Sequence, residues 1–111
     1  MVDIDQIFNL LSNERRRYAL YYLEEQNEPV HIAELAEKVA EWQSSGSKSG
    51  ERRFEDVRIE LLHTDLPKTD ELEYVTYDRD EKVVTLSGSP PAFDTIISIA
   101  KIIERPRGNS E

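Results

Sequence analysis

Apolar side chains recur at helical spacing through most of the chain. Ile4, Ile7 and Leu11 show the pattern, because residues three and four apart share one face of an α-helix. Asn13 before the second such segment and Pro90-Pro91 before the last are residue types that favour a helix start. The pattern predicts helices over residues 3–11, 14–26, 32–42, 51–66 and 90–105.

Two β-rich segments predict a hairpin. Residues 74–77 and 82–86 are rich in β-branched and aromatic residues, which favour strands, and the polar segment 78–81 separates them. Val30, a β-branched residue directly after a proline, is a candidate for a short additional strand.

Breaks between these elements are also visible. Residues 43–50 include six serine or glycine residues, which predicts a flexible loop. We expect Pro67 to kink or restart the fourth helix, because proline lacks an N–H and crowds the preceding turn. Residues 106–111 are expected to form a frayed tail.

The predicted order is helix, helix, short strand, helix, loop, helix, hairpin and helix. From the second helix onward this is the order of a winged helix-turn-helix domain, so we expect a mainly α fold with a small β-hairpin (α+β). Residues 1–89 would form the domain, with an extra N-terminal helix inside 1–12, the recognition helix at 51–66 and the wing at 74–86. A further C-terminal helix follows at 90–105.

The charge of the chain constrains its setting and partners. It has 14 Lys+Arg against 23 Asp+Glu, a net charge of -9, and the acids are spread over its whole length. Such an even acidic coat with few lysines favours a protein adapted to molar salt, where the Debye length is ~3 Å. An ordinary acidic protein is the alternative. A negative charge opposes nucleic-acid binding, which depends on Lys and Arg at phosphates.

Three stretches of the sequence are recognisable together: LLSNERRRYALYYLEEQ (10–26), VHIAELAEKVAEW (30–42) and VRIELLHTDLPKTDELEYVTYDRDEKVVTL (57–86). They resemble a haloarchaeal family of small winged-helix proteins, described largely as a domain of unknown function, and more widely the small winged helix-turn-helix repressors. The S-N-x-R-R-R start and the H-x-x-L-P-K segment are the most specific parts. Thr69 stands where the repressors usually have an apolar residue and Glu73 where they usually have glycine, so Glu73 is expected to adopt a positive φ.

The resemblance implies a DNA-binding transcription regulator of a halophilic archaeon with double-stranded DNA as its partner. In winged helices the recognition helix enters the major groove and the wing contacts the flanking backbone. The candidate DNA contacts are therefore Arg52, Arg53, Glu60, His63, Thr64 and Lys68 on or just after the recognition helix, and Arg79 and Lys82 in the wing. For each residue the alternative is a solvated face of mixed charge. For the whole protein the alternative is a winged-helix module that binds another protein and no DNA.

The densest basic feature is the run Arg15-Arg16-Arg17. Three consecutive residues span ~200° around a helix, so they cannot share one face. We expect one arginine to pair internally with a carboxylate, and the others either to touch phosphate or to balance nearby acids. Arg58 is expected to form an internal ion pair, and His31 to cap a helix or lie in a strand.

The last predicted helix has a stripe of mostly isoleucine residues that exceeds what a domain of this size needs for its core. We expect it to pair with the same helix of a second copy, joined by the N-terminal helix, which makes the protein a homodimer. Packing on its own domain is the alternative. The predicted dimerisation residues are Phe93, Ile96, Ile97, Ile99, Ala100 and Ile103, with Ile102 beside them.

Other classes of function are not expected. No Ser/His/Asp arrangement or glycine-rich phosphate motif is present, which argues against an enzyme. The chain has no cysteine, and its two histidines share no ligand spacing, so we expect no disulfide, metal or cofactor. The acidic start differs from a signal peptide, and no apolar run approaches the ~18 residues of a membrane span, so we expect a soluble cytoplasmic protein.

Overall fold

The computed structural model describes residues 4–43, 50–69 and 72–104, and of residues 50–53 only the backbone. The helices are α1 (Ile4–Leu11), α2 (Glu14–Gln26), α3 (Ile32–Gln43), α4 (Gly50–Glu60), α5 (Leu66–Thr69) and α6 (Pro91–Glu104). A π-helical turn (Leu61–Asp65) joins α4 to α5, and the strands are β1 (Val30–His31), β2 (Val75–Asp78) and β3 (Val83–Leu86). Residues 44–49 of the predicted loop and the predicted tail at 106–111 lie outside the described residues.

The ends of α2 follow directly from the residues that flank it. The Asn13 side chain accepts a hydrogen bond of 3.0 Å from the Arg16 N–H, which satisfies one of the unpaired donors of the first turn. At the other end Asn27 adopts a left-handed conformation with φ 54°, and its N–H donates to the Leu23 carbonyl. The predicted helix at 14–26 is thus confirmed with its N-cap.

The three strands form one antiparallel sheet in the order β1-β3-β2. Val84 on β3 pairs with Val30 of β1 on one side and with Tyr77 of β2 on the other. The short strand predicted at Val30 therefore adds a third strand to the hairpin. The Asp78 carboxylate accepts hydrogen bonds from the N–H groups of Asp80 and Glu81 and closes the turn between β2 and β3. The prediction of a mainly α fold with a small β-hairpin is confirmed, and the architecture is consistent with a winged helix.

The core lies where α2, α3, the π-helical turn, the sheet and α6 meet. Tyr21, Leu35, Leu61, Val84 and Phe93, one from each of these elements, are fully buried. Burying a side chain of this kind stabilises the fold by about 1.5–3 kcal/mol before entropy is subtracted. The sheet and α6 therefore share one core with α2, α3 and the π-helical turn.

The helical segment predicted over 51–66 is present but irregular, and the kink or restart expected at Pro67 takes the form of a π-helical turn. The irregular segment precedes the proline: α4 ends at Glu60, and the Leu66 N–H bonds to the Leu61 carbonyl five residues back. Pro67 has no N–H, and its ring presses on the carbonyl four residues earlier in a regular helix. The wider π-helical turn accommodates the ring, so that α5 continues through Pro67 without a break.

The expected positive φ of Glu73 was wrong. Among the described residues other than glycine, Asn27 and Lys82 have positive φ. The N–H of Leu72 bonds to the Thr69 carbonyl, and the N–H of Val75 bonds to the Leu72 carbonyl, which closes a turn around Glu73. This path needs no left-handed residue at position 73.

Replacing Lys82 by glycine is expected to stabilise the protein. Lys82 has φ 61°, a conformation that is strained for a residue with a Cβ and free of strain for glycine. Lys82→Gly should raise the free energy of unfolding by about 0.5 kcal/mol in urea titrations. Arg79→Gly is the matched control in the same turn, where glycine only adds freedom to the unfolded chain and should destabilise. A loss of stability in both variants would contradict the prediction.

Candidate nucleic-acid interface

The outer face of the predicted recognition helix is exposed as expected. Val57 and Leu61 are buried, while Asp56, Glu60 and His63 face the solvent. This division follows from the helical period, which places apolar positions three and four apart on the inner side. The predicted contacts Arg52 and Arg53 lie in the first turn of α4, which begins at Gly50. The structure describes only the backbone of these two residues.

The wing presents the two cations that the sequence predicted. Arg79 and Lys82 are exposed in the turn between β2 and β3. They share this turn with the exposed acids Asp78, Asp80 and Glu81. The turn thus combines positive side chains with a negative surrounding, which weakens its attraction for phosphate at low salt.

The wing and the segment that follows α4 form the walls of a cleft. Its volume is about 510 Å³, and its walls include Leu62, Leu66 and Pro67 on the helical side and Tyr77 and Arg79 on β2 and the turn after it. Tyr77 and Arg79 are two residues apart, so they lie on the same face of the hairpin. Of these five residues, only Arg79 was predicted as a contact. The other four were not predicted, because the sequence alone does not show that the hairpin packs beside the residues next to Pro67.

Three further predicted contacts belong to the same helical segment. His63, Thr64 and Lys68 are exposed between residues 61 and 69, the stretch that forms one wall of the cleft. Thr64 and Glu60, however, bond to each other, with the Thr64 hydroxyl donating to the carboxylate at 3.3 Å. Glu60 also lies 3.6 Å from the Arg15 guanidinium. These two contacts occupy the Glu60 carboxylate, which was predicted to accept a hydrogen bond from a DNA base.

The arginine run serves the interior of the protein. Arg15 donates to the Asp65 carboxylate at 2.5 Å and 3.3 Å, and Asp65 is 1% exposed. The buried guanidinium of Arg16 donates to the carbonyls of Asn9 and Leu10 at 2.9 Å and lies 3.6 Å from Asp65. The two arginines thus join α2 to the π-helical turn and satisfy carbonyls at the end of α1.

Arg17 forms a second cluster on the other side of α2. Its guanidinium donates to Glu104 at 2.7 Å and 2.6 Å and to the Leu11 carbonyl at 2.6 Å. The Tyr21 hydroxyl donates to the same carboxylate at 2.9 Å. Burial by itself would raise the pKa of Glu104, but the hydrogen bonds from Arg17 and Tyr21 outweigh it and hold the pKa below its usual value. We expected one arginine of the run to be internal; all three bond within the chain.

The other charged residues singled out in the sequence have local partners. Arg58 does not form the expected internal pair, because its guanidinium bonds to Glu55 at 2.9 Å on the surface of the same helix. His31 lies in β1, and its Nδ1 accepts a hydrogen bond of 3.0 Å from the Ala33 N–H at the start of α3. Both expected positions of His31, in a strand and as a cap, are thus realised together.

The predicted dimerisation stripe of α6 divides into two groups. Phe93 and Ile97 are fully buried within their own chain, and Ile96 and Ala100 are half-buried against the core. The inclusion of Phe93 and Ile97 in a surface was therefore wrong, because they complete the core around β2 and α2. Ile99 and Ile103 are exposed, as is Ile102, which was expected only to flank the stripe.

Neither a metal-binding cluster nor a membrane-spanning helix is present among the described residues 4–43, 50–69 and 72–104. No group of three or more His, Asp or Glu residues there is arranged to hold a metal ion. Among the helices at residues 4–43, 50–69 and 91–104, none combines the length and the apolar character that crossing a membrane requires.

Removing the charge of Asp65 is expected to destabilise the fold strongly. Asp65→Asn keeps the size of the side chain but leaves the cations of Arg15 and Arg16 without their buried counter-charge, at a cost of about 3 kcal/mol. Glu60→Gln is the matched control, because Glu60 is half-exposed and its pairing with Arg15 is worth less than about 1 kcal/mol. Urea titrations of both variants measure the difference, and equal losses would contradict the prediction.

Residues 8–85 match the family model of a domain of unknown function, DUF7344. Since the match spans well over half of the chain, the protein belongs to this family. The match extends from α1 through the hairpin and leaves α6 outside. No curated protein and no solved structure is significantly similar to the chain.

Proposed function

We propose that this member of the DUF7344 family is a DNA-binding transcription regulator. The observation that carries the proposal is the position of the wing beside the segment that follows α4. Two helices that pack together, α3 and α4, are followed by a hairpin in a sheet of order β1-β3-β2, and the hairpin shares a cleft with residues 62–67. One face of the molecule thereby presents an exposed helix and an exposed turn side by side, which suits a groove and its adjacent backbone.

The helix supplies the contacts to bases in this proposal. The major groove of B-DNA is about 12 Å wide and admits one α-helix. Arg52 and Arg53 lie at the beginning of α4, and His63 lies in the turn that follows it. Arginine is the most common partner of guanine in such contacts, because its two N–H groups match the O6 and N7 acceptors.

The cleft supplies the contact to the DNA backbone. The Arg79 guanidinium offers paired donors that suit a phosphate, and Tyr77 lines the same cleft. Leu62 and Pro67 form an apolar wall against which a deoxyribose can pack. Lys68 and Lys82, both exposed, extend the positive charge to neighbouring phosphates.

The acids on the same face define the conditions under which binding occurs. Glu55 and Asp56 are exposed on α4 and repel phosphate at low salt. In molar salt this repulsion is screened, and contacts based on shape, hydrogen bonds and apolar packing remain. The proposal therefore places the protein in the cytoplasm of an organism with a high internal salt concentration, such as a halophilic archaeon.

A protein partner is the second candidate function. The exposed carboxylates Glu55, Asp56 and Glu60 on α4 favour it, because they form an acidic surface on the helix that would otherwise enter DNA. A partner with a basic face would complement this surface. In that case the same helix would bind protein, and DNA would not compete.

Binding to DNA is tested by fluorescence polarisation with labelled genomic duplexes of about 30 base pairs. We expect saturable binding at both 0.1 M and 2 M KCl. At 0.1 M KCl the affinity for DNA should be lower than that of a winged helix with a basic surface. An absence of binding at both concentrations, together with a defined partner in pull-down experiments, would contradict the proposal and favour the protein module.

The role of the cleft is tested by Arg79→Gln. Removing one phosphate contact is expected to change the slope of log K against log salt concentration by about 1 and to weaken binding to all sequences similarly. Lys38→Gln is the matched control, because it removes the same charge from α3, where Lys38 is half-exposed and paired only with Glu41 among the described ion pairs. An equal effect of both variants would show that Arg79 contributes only to net charge.

A further inference from the structure

The exposed positions of α6 carry no charge along its whole described length. They are Pro91, Ala92, Thr95, Ser98, Ile99, Ile102 and Ile103, and we call them the neutral face. The three isoleucines are 53%, 69% and 77% exposed. In a chain of which 33% of the residues are charged, a helix of this length with an uncharged outer side is a marked departure from the rest of the surface.

The charged residues of α6 all have partners within their own chain. Asp94 accepts a hydrogen bond of 2.7 Å from the Ser89 hydroxyl, and Lys101 bonds to Glu24 at 2.9 Å and lies 3.5 Å from Glu25. Glu104 is held by Arg17. These three side chains are half-buried and bonded within the chain, so the fold turns the charges of α6 away from the neutral face.

We infer that the neutral face of α6 is the surface through which two copies of this chain form a homodimer. Each copy has a net charge of -9, so two copies repel one another over most of their surfaces. The neutral face is where that repulsion is smallest and apolar contact is available. A partner of opposite charge would instead be drawn to the acidic surfaces.

The spacing along α6 suits pairing with an identical helix. Ala92, Thr95, Ile99 and Ile102 follow the alternating intervals of three and four residues by which two helices pack along a common seam. A two-fold axis applies the same patch to itself, so each isoleucine meets a residue of the same set.

The apolar part of the contact would consist of three exposed isoleucines from each copy, Ile99, Ile102 and Ile103. Apolar contact of this kind is not screened by salt, whereas the repulsion between the copies is. The dimer should therefore become more stable as the KCl concentration rises.

Light scattering coupled to size-exclusion chromatography tests the inference on the full chain. At about 50 µM protein in 2 M KCl we expect about twice the chain mass of 12.9 kDa, and a larger monomer fraction in 0.1 M KCl. A mass of 12.9 kDa in 2 M KCl at this concentration would overturn the inference, whether or not the protein binds DNA.

Charged substitutions locate the interface. Ile99→Glu combined with Ile103→Glu should give a monomer in 2 M KCl, with an unchanged circular dichroism spectrum because both side chains are exposed in the single chain. Ile59→Glu is the matched control: Ile59 is 46% exposed on α4, away from the neutral face, and its variant should remain a dimer. Dissociation by Ile59→Glu with a persistent dimer in the α6 variant would assign the interface to α4 and overturn the inference.

Discussion

The buried carboxylate of Asp65 and its two arginine partners hold the helical part of the molecule together. Asp65 lies in the π-helical turn, and Arg15 and Arg16 reach it from the start of α2. A carboxylate that is 1% exposed is costly unless opposite charges and hydrogen bonds compensate for its lost hydration. The pairing with two guanidinium groups supplies this compensation and also fixes the position of the turn. Because Arg16 additionally donates to carbonyls of α1, the same cluster determines where the N-terminal helix lies.

Helix α2 consequently has contacts with the elements that carry both proposed binding surfaces. Its first turn holds the segment that lines the cleft, through Asp65, and its next residue, Arg17, holds the end of α6 through Glu104. Tyr21 and Lys101 add two further links between α2 and α6. In a dimer formed through α6, the position of each recognition segment relative to the two-fold axis would depend on these contacts. A short run of arginines in the sequence thus sets the geometry between the surfaces instead of contributing to either.

The sequence predicted local structure better than it predicted the partners of charged side chains. The start and end of α2, the strand at Val30 and the hairpin follow from neighbouring residues, and all were anticipated. The π-helical turn was not anticipated. A proline predicts that a helix will be distorted, but it does not predict whether the distortion lies before or after the proline. The partners Asp65 and Glu104 lie 50 and 87 residues from the arginines they bind, and no local pattern connects them. For the cleft, the cation of the wing was predicted, but its apolar wall depends on how β2 and the segment after α4 pack.

The uncharged side of α6 also has a kinetic consequence. Two molecules with the same strong charge slow each other's approach from most directions, and the barrier is lowest where the opposing surfaces are neutral. In dilute salt, where the Debye length is about 10 Å at 0.1 M, the field around each chain would therefore select orientations before any apolar contact forms. In molar salt the Debye length falls to about 3 Å, so this selection is lost and only the fit between the two surfaces decides which encounters last.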